Sequence, residues 1–242
     1  MQMPLVMGVD GARFGWIAVM RDTADPSFAD VRMFAQFGDI LTSAVPPSIV
    51  AVDMPIGLPE RAGAGGRGPE RAVRPLIRER QSSVFSVPSR AAVYCDDYRT
   101  ACSIALVTSD PPRKVSKQAF ALFPKIREID SLMTAEREAQ IYEVHPEVAF
   151  WRLNGERAMS LPKKVKSRIN SPGLDERSEL LERYGFAREF LSQKPPRGSA
   201  RDDLVDACAS CLIAERILQG KARPFPEDYE RDVRGLRMAI WA

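Results

Sequence analysis

Three carboxylates lie in segments that are otherwise apolar, and these residues are the ones most suited to chemistry. Asp10 ends the run LVMGVD, Asp53 ends IVAVD, and Glu143 lies inside QIYEVH. Burying an ionised carboxylate costs several kcal/mol unless a cation, a set of hydrogen-bond donors or a metal compensates for it. If the three strands are neighbours, we expect the carboxylates to meet at one edge of a sheet, where open α/β sheets bind their ligands.

A second group of acidic residues opens the last long helical segment, ARDDLVDACASCLIA. Asp203 and Asp206 are three residues apart and share one helix face, whereas we interpret Asp202 as the capping partner of Ser199. Small residues follow on the shared face, and they allow this helix to lie close against a sheet. A cluster of carboxylates without His or Cys predicts an oxygen-only site for Mg²⁺ or Mn²⁺ rather than Zn²⁺.

The single histidine of the chain, His145, stands two residues beyond Glu143 on the same side of the predicted strand. Two interpretations are open. In one, His145 is a catalytic proton shuttle beside the acidic residues. In the other, its imidazole is structural and bonds to neighbouring backbone before Pro146.

Basic side chains recur in two places, and they are either solvated faces or contacts for substrate phosphates. One group has helical spacing and the other precedes a Ser-Pro-Gly turn: Arg71, Arg74, Arg78 and Arg80, then Lys163, Lys164, Lys166 and Arg168. Of these, Arg71, Arg74, Lys163 and Lys164 are the predicted phosphate contacts. The net charge of +3 neither indicates nor excludes a nucleic-acid partner.

The elements that must position these residues belong to a globular chain. Its 242 residues are 45% hydrophobic and 28% charged, which excludes a disordered tail, a coiled coil and a collagen-like chain. No apolar run approaches the roughly 20 residues of a membrane span, and the first residues lack a signal-peptide pattern. We therefore expect a cytoplasmic protein without a membrane partner. The four cysteines, Cys95, Cys102, Cys208 and Cys211, are expected to be free thiols that bind no zinc.

Hydrophobic periodicity predicts a mixed order of strands and helices. Strands are predicted over 5–10, 15–20, 31–37, 49–53 and 140–145, and helices over 39–44, 69–80, 89–107, 116–133, 146–153, 175–184 and 199–219. The first three strands read as an antiparallel meander, and the continuous apolar run at 49–53 indicates a central, parallel strand. The predicted fold class is α/β: one domain over 1–242, with a mixed five-stranded sheet flanked by helices and a mainly helical insertion over 57–138.

Several long stretches of the chain resemble one family. They are GVDGARFGW (8–16), VDMPIGLPE (52–60), QSSVFSVPSR (81–90), SKQAF with PKIREID (116–130), YEVHPEVAFWRLNG (142–155), KKVKSR (163–168), ARDDLVDA (200–207) and GLRMAIW (235–241). On these stretches the chain resembles the family called domain of unknown function 429, whose members are described as predicted RNase H-like nucleases. The segment DDLVDACASCLIA is also similar to the D-x-x-D-A-x-A helix of the Holliday-junction resolvases. The resemblance implies an RNase H-like sheet with acidic residues on its first and fourth strands.

The residues and the resemblance together support one main hypothesis, a metal-dependent nuclease or phosphodiesterase that uses a two-metal mechanism. Asp10 and Asp53 would hold one Mg²⁺ or Mn²⁺, and Asp203 and Asp206 would complete the site. Glu143 would be an added ligand or an orienting residue. The substrate would be a nucleic acid or a nucleotide, with RNA, DNA, a branched junction and a small phosphodiester all open, as is the oligomeric state.

Two alternatives belong to other functional classes. The first is nucleotide binding as in sugar kinases and actin-like ATPases, whose first strand also ends in an Asp-x-Gly turn. Those proteins place the nucleotide between two such domains, whereas this chain has sequence for one. The second is a non-catalytic RNase H-like module whose acidic residues bind no metal.

Overall fold

A five-stranded mixed sheet forms the centre of the computed structural model. Strands β1 (Leu5–Ala12), β2 (Gly15–Asp22) and β3 (Ala29–Phe34) form an antiparallel meander. Strand β4 (Ile49–Val52) runs parallel to β1, and β5 (Ile141–Glu143) runs parallel to β4. The order is β3-β2-β1-β4-β5, with helices packed against it. The predicted α/β class is therefore confirmed, and the arrangement matches the RNase H-like description.

Nine helices and two short hairpins complete the part of the chain that the structure describes, residues 5–25, 28–166 and 168–242. The helices are α1 (Phe37–Leu41), α2 (Gly68–Ile77), α3 (Arg90–Val93), α4 (Tyr98–Val107), α5 (Lys117–Leu132), α6 (Pro146–Leu153), α7 (Ser171–Arg183), α8 (Arg188–Ser192) and α9 (Arg201–Leu218). The hairpins are β6 (Lys164–Val165) with β7 (Arg168–Ile169), and β8 (Pro224–Phe225) with β9 (Ile240–Trp241), and the 3₁₀ segments are Arg78–Ser83 and Arg137–Ala139.

The two faces of the sheet pack against different helices. On one face, Val6 and Ala51 belong to a core that includes α9 and the buried side of α2. On the other face, Met7 and Val9 pack with buried residues of α3, α4 and α5. Because side chains alternate along a strand, Asp10 shares the α9 face with Val6. The helices between β4 and β5 are thus divided between both faces of the sheet.

Several predicted boundaries differ from those observed, for local reasons. The helix predicted over 89–107 is two helices, α3 and α4, because the carboxylate of Asp97 caps a new helix by accepting from the Thr100 amide at 2.7 Å. The helix predicted over 175–184 begins earlier, at Ser171, with a proline in its first turn. The third strand is Ala29–Phe34 rather than 31–37, because α1 already begins at Phe37.

Free thiols were expected, and the structure confirms them: Cys95, Cys102, Cys208 and Cys211 form no disulfide. Burial raises the pKa of the Cys208 and Cys211 thiols, which are packing groups of α9. Among the described residues, no helix combines the length and the apolar character that a membrane crossing requires.

Candidate functional site

Strands β1 and β4 place Asp10 and Asp53 side by side. Val9 and Val52 are partners in the parallel register, and the Asp53 amide donates to the Val9 carbonyl at 2.9 Å. The two aspartates are the next residues on these neighbouring strands, which are spaced by about 4.8 Å. Oδ1 of Asp10 accepts from the Gly11 amide at 2.7 Å. The predicted convergence of these two carboxylates at one sheet edge is what the backbone pairing produces.

Helix α9 brings Asp203 and Asp206 to the same edge. It packs on β1, β2 and β4, and Gly8 permits this approach because an added Cβ would overlap the backbone of Ala207 and Cys211. Asp206 is buried in the second turn of the helix, and Asp203 in the first turn is partly buried. We call Asp10, Asp53, Asp203 and Asp206 the acidic cluster.

The helix cap differs from the prediction. We expected Ser199 and Asp202 to form the capping pair, but α9 begins at Arg201, and Oδ2 of Asp203 accepts from the Ala200 amide at 2.9 Å. The Ser199 hydroxyl instead donates to the Pro196 carbonyl at 2.8 Å. Asp203 therefore has two roles, since one oxygen stabilises the helix start while the carboxylate faces the cluster.

Burial and mutual repulsion raise the pKa values of the acidic cluster. Burial raises the pKa of Asp10 well above its ordinary value, and the charges of Asp53, Asp206 and Asp203 raise it further. Burial, with the charge of Asp206, raises the pKa of Asp53 to about 7. Burial also raises the pKa of Asp206 to about 6, although Lys163 opposes the shift. Without a cation, the cluster therefore holds on to protons more strongly than free carboxyls do.

Two lysines predicted as phosphate contacts lie against these acidic residues. The Lys163 ammonium donates to Oδ2 of Asp206, and Lys164 pairs with Oδ2 of buried Asp202 at 2.5 Å. Burial alone would lower the pKa of Lys163, but Asp206 holds it above its ordinary value. The segment that carries Lys163 is fixed by buried Arg177, whose guanidinium donates to the Leu161 carbonyl at 2.8 Å.

Glu143 ends β5 beside Asp53, but its carboxylate is bound by a buried arginine rather than by the acidic cluster. It pairs in register with Val52. Its carboxylate forms two hydrogen bonds with buried Arg67, at 2.5 and 3.1 Å, and accepts from the Ile56 amide at 2.7 Å. Arg67 also pairs with buried Glu70 at 2.7 Å. Glu143 thus holds the loop after β4 in place.

His145 lies beside a small cavity that Asp53, Arg67 and Glu143 also line. The cavity has a volume of about 30 Å³, enough for about one water molecule. Burial lowers the pKa of His145 to about 4, so its imidazole is neutral at neutral pH. Nε2 lies 3.4 Å from the Ser83 carbonyl, and Nδ1 is buried without a partner among the described residues. His145 is therefore suited to accept a hydrogen bond at Nδ1 rather than to carry a proton.

Arg71 and Arg74 bind the glycine-rich loop before α2. Arg71 donates to the Gly66 carbonyl at 2.6 Å, and Arg74 donates to the carbonyls of Gly65 and Val84. These hydrogen bonds occupy many of the guanidinium N–H groups that we predicted would contact substrate phosphates. They hold the loop against the chain that follows α2.

Two basic residues near the acidic edge were not singled out in the sequence. Arg67 is the buried partner of Glu143, and Lys125 of α5 donates to the Gly15 carbonyl at 2.6 Å. Burial lowers the pKa of Lys125, while Glu128, Asp10 and Asp203 act in the opposite direction. Arg67 could have been anticipated from Glu143. Because an unpaired carboxylate is costly to bury, a glutamate on a buried strand predicts that some cation lies beside it.

The donor chemistry of the acidic cluster suits a hard divalent cation. All its side-chain donors are carboxylate oxygens, and Oδ1 of Asp206 is buried without a hydrogen-bond partner in the described part of the chain. Within that same part, no group of three His, Cys, Asp or Glu side chains is already arranged as a metal site. The residues therefore fit a cation in type and charge, and side-chain rearrangement would be needed to close a ligand shell.

Stability in the presence of a metal chelator is expected to rise as the pH falls from about 8.5 to 6.5. The folded-state pKa values of Asp53 and Asp206, about 7 and about 6, lie above the ordinary 3.8, so the folded state binds protons first in this window. The expected gain in the free energy of unfolding is about 1 kcal/mol. Glu143, whose pKa burial raises to about 7, adds to this gain. His145 acts in the opposite direction from about pH 7.5 downward, because its ordinary pKa of 6.5 is lowered by burial to about 4, so only the unfolded state protonates it there.

Urea unfolding at several pH values measures this effect, and Asp53→Asn should reduce the dependence. A free energy of unfolding that stays constant or falls between pH 8.5 and 6.5 would show that the folded state does not raise the pKa values of these carboxyls.

Taken together, the fold and the cluster define an α/β protein with buried aspartates where two parallel strands end beside the last long helix. The chain belongs to the family described as Protein of unknown function (DUF429), whose model matches residues 8–231. No curated protein and no solved structure matches the chain at a significant level.

Proposed function

We propose that this protein is a metal-dependent phosphodiesterase that hydrolyses the phosphodiester bonds of a nucleic acid or nucleotide. One observation carries the proposal: four aspartates from three distant segments are gathered at one sheet edge, where burial and neighbouring carboxylates raise their pKa values. Strongly shifted carboxyls that lie together are typical of functional sites. A cluster of carboxylate oxygen donors is the environment that Mg²⁺ and Mn²⁺ prefer.

The members of the acidic cluster have two proposed roles. Asp10 and Asp53 are the proposed ligands of one cation, and Asp203 and Asp206 would complete the site. A divalent cation bound there would supply Lewis-acid stabilisation and an activated water for in-line displacement at phosphorus. Oδ1 of Asp206, buried without a hydrogen-bond partner in the described part of the chain, has unused ligand capacity.

The basic and neutral residues around the cluster support the same activity. Lys163 is held at the cluster by Asp206, so it is placed to contact a phosphate oxygen once that carboxylate is engaged elsewhere. Lys164, on the exposed β6–β7 hairpin, would extend this contact to a neighbouring phosphate. The neutral imidazole of His145 can accept a hydrogen bond at Nδ1 from a group bound in the cavity beside Asp53. In this proposal Glu143 orients the loop after β4 and holds no cation.

One observation favours a second candidate function, a binding module without catalysis. The ammonium group of Lys163 already pairs with Asp206, so a cationic side chain occupies the place that a metal ion would take beside this carboxylate. In that case the aspartates would be structural and divalent cations would not stabilise the protein.

Thermal unfolding with and without millimolar Mg²⁺ or Mn²⁺ distinguishes the two candidates. A cation that binds only the folded state stabilises it by about 1 to 3 kcal/mol at concentrations well above its Kd, which raises the melting temperature by several degrees. We expect this rise in the wild type and a much smaller one in Asp206→Asn. Asp175→Asn is the matched control, because this exposed carboxylate lies on α7 and pairs with Arg201. Equal shifts in all three proteins, or none, would favour the second candidate.

A further inference from the structure

A groove outside the acidic cluster lies among the helices of the insertion. It runs between the segment 82–89, the loop 109–115 and the first turn of α5, and its volume is about 290 Å³. The segment 82–89 and the first turn of α5 belong to the stretches QSSVFSVPSR and SKQAF, whereas the loop 109–115 lies outside both, and the acidic cluster uses none of them. Among the described residues that line the groove, none is acidic.

The charge of the groove is positive and unneutralised. Arg113 and Lys114 line it, both are exposed, and neither forms a salt bridge with any residue that the structure describes. A third cation, Arg74, donates to the Ser86 hydroxyl on the groove wall at 3.0 Å. Burial lowers the pKa of Arg74 and the charge of Glu70 opposes this, while the charge of Arg113 lowers it further, so the two guanidinium groups repel each other. An anion bound between them would relieve that repulsion.

Polar and apolar walls face each other across the groove. Ser82, Ser86 and Gln118 supply hydroxyl and amide groups, whereas the half-buried ring of Phe85 and the side chain of Val115 supply apolar surface. The Ser116 hydroxyl caps α5 by accepting from the Ala119 amide at 3.1 Å, so the positive end of a helix of 16 residues opens toward the same space. A ligand that fits must combine an anionic group with a flat or apolar body.

We propose that this groove is a binding site for a mononucleotide, with its phosphate on Arg113 and Lys114 and its base against Phe85. Aromatic side chains stack on bases, and paired cations with hydroxyl donors bind phosphate oxygens. The site is independent of the proposed phosphodiesterase activity, since none of the acidic cluster lines it. Phe85 and Val87 separate the groove from the small cavity beside Asp53, because both residues line both spaces.

Isothermal titration of the full chain in the presence of EDTA tests the site without involving a metal. AMP and UMP are the probes, and adenosine, uridine and inorganic phosphate are the comparison ligands. We expect the mononucleotides to bind at least about tenfold more tightly than the nucleosides and than inorganic phosphate, since charge-assisted bonds to the phosphate and stacking of the base both contribute. Equal affinity for inorganic phosphate, or no binding of either mononucleotide, would overturn the proposal.

The double variant Arg113→Gln/Lys114→Gln is expected to weaken mononucleotide binding by about tenfold or more. Its charge-matched control is Arg99→Gln/Lys117→Gln, which removes two exposed positive charges from α4 and α5 that do not line the groove. The control should bind within about twofold of the wild type. Both substitutions are at exposed positions, so equal melting temperatures verify folding. Equal losses in the two double variants would mean that only net charge matters, and the site would be rejected.

Discussion

Asp10→Asn is expected to lower phosphodiesterase activity by about 100-fold or more while leaving the metal-free fold at least as stable as the wild type. The amide keeps the size of the carboxylate but removes a charge that a divalent cation needs, and cation stabilisation of the transition state is worth several kcal/mol. The same change relieves the repulsion from Asp53, Asp206 and Asp203 that raises the pKa of Asp10. Loss of activity with gain of stability is the opposite of what a structural aspartate gives.

Hydrolysis of bis-p-nitrophenyl phosphate and of labelled single-stranded DNA and RNA, with Mn²⁺ present, measures the activity. Urea unfolding in EDTA measures the stability. Asp175→Asn again serves as the control and should retain full activity. If Asp10→Asn instead costs about 0.5 to 2 kcal/mol and leaves the hydrolysis rate unchanged, Asp10 is a turn residue and the proposed site is wrong.

The largest expected effect on stability comes from Gly8→Ala, with a loss of at least about 3 kcal/mol or failure to fold. Gly8 lies where β1 crosses α9, and an added Cβ would overlap the backbone nitrogen of Cys211 and the carbonyl oxygen of Ala207. Backbone atoms cannot move aside as a flexible side chain can, so the helix would have to shift as a unit. Asp203 and Asp206 would shift with it.

Gly38→Ala is the matched control for this substitution. Gly38 lies in α1, and the nearest atom to an added Cβ there is Leu132 Cδ1 at 4.0 Å. Because alanine has the higher helix propensity, the control should be neutral or stabilising by up to about 1 kcal/mol. Denaturant unfolding of both variants tests the pair. A Gly8→Ala protein as stable as the wild type would contradict the close packing of β1 on α9.

The sheet and two of the clustered aspartates were predictable because the signals are local. Asp10 and Asp53 each end a continuous apolar run, and such runs indicate buried parallel strands whose ends meet. The direction of Glu143 was not predictable in this way. It depends on the register between β4 and β5, and a shift of one residue moves a side chain to the other face of the sheet.

Ion pairs between residues far apart in the sequence also could not be predicted from the spacing of residues along the chain. Arg67 reaches Glu143 from a position 76 residues away, out of a glycine-rich loop with no periodicity. At the start of α9, three acidic residues lie within five positions, so a difference of one or two residues in the helix start decides which of them caps it. Helix boundaries are uncertain by that amount in general. The sequence therefore predicted an acidic helix start but assigned the cap to Asp202, whereas Asp203 caps α9 in the structure.

The contact between β1 and α9 has a consequence for the order of events during synthesis. Val6 and Cys211 are 205 residues apart in sequence yet lie within 3.8 Å, from carbonyl oxygen to sulfur. A ribosome-bound chain can complete the meander early, but Asp203 and Asp206 cannot join Asp10 until the chain has emerged past residue 206. Contacts of such long range slow folding. The acidic cluster is therefore assembled after the meander, and a nascent or truncated chain that ends before Asp203 has no complete site with which to bind a cation.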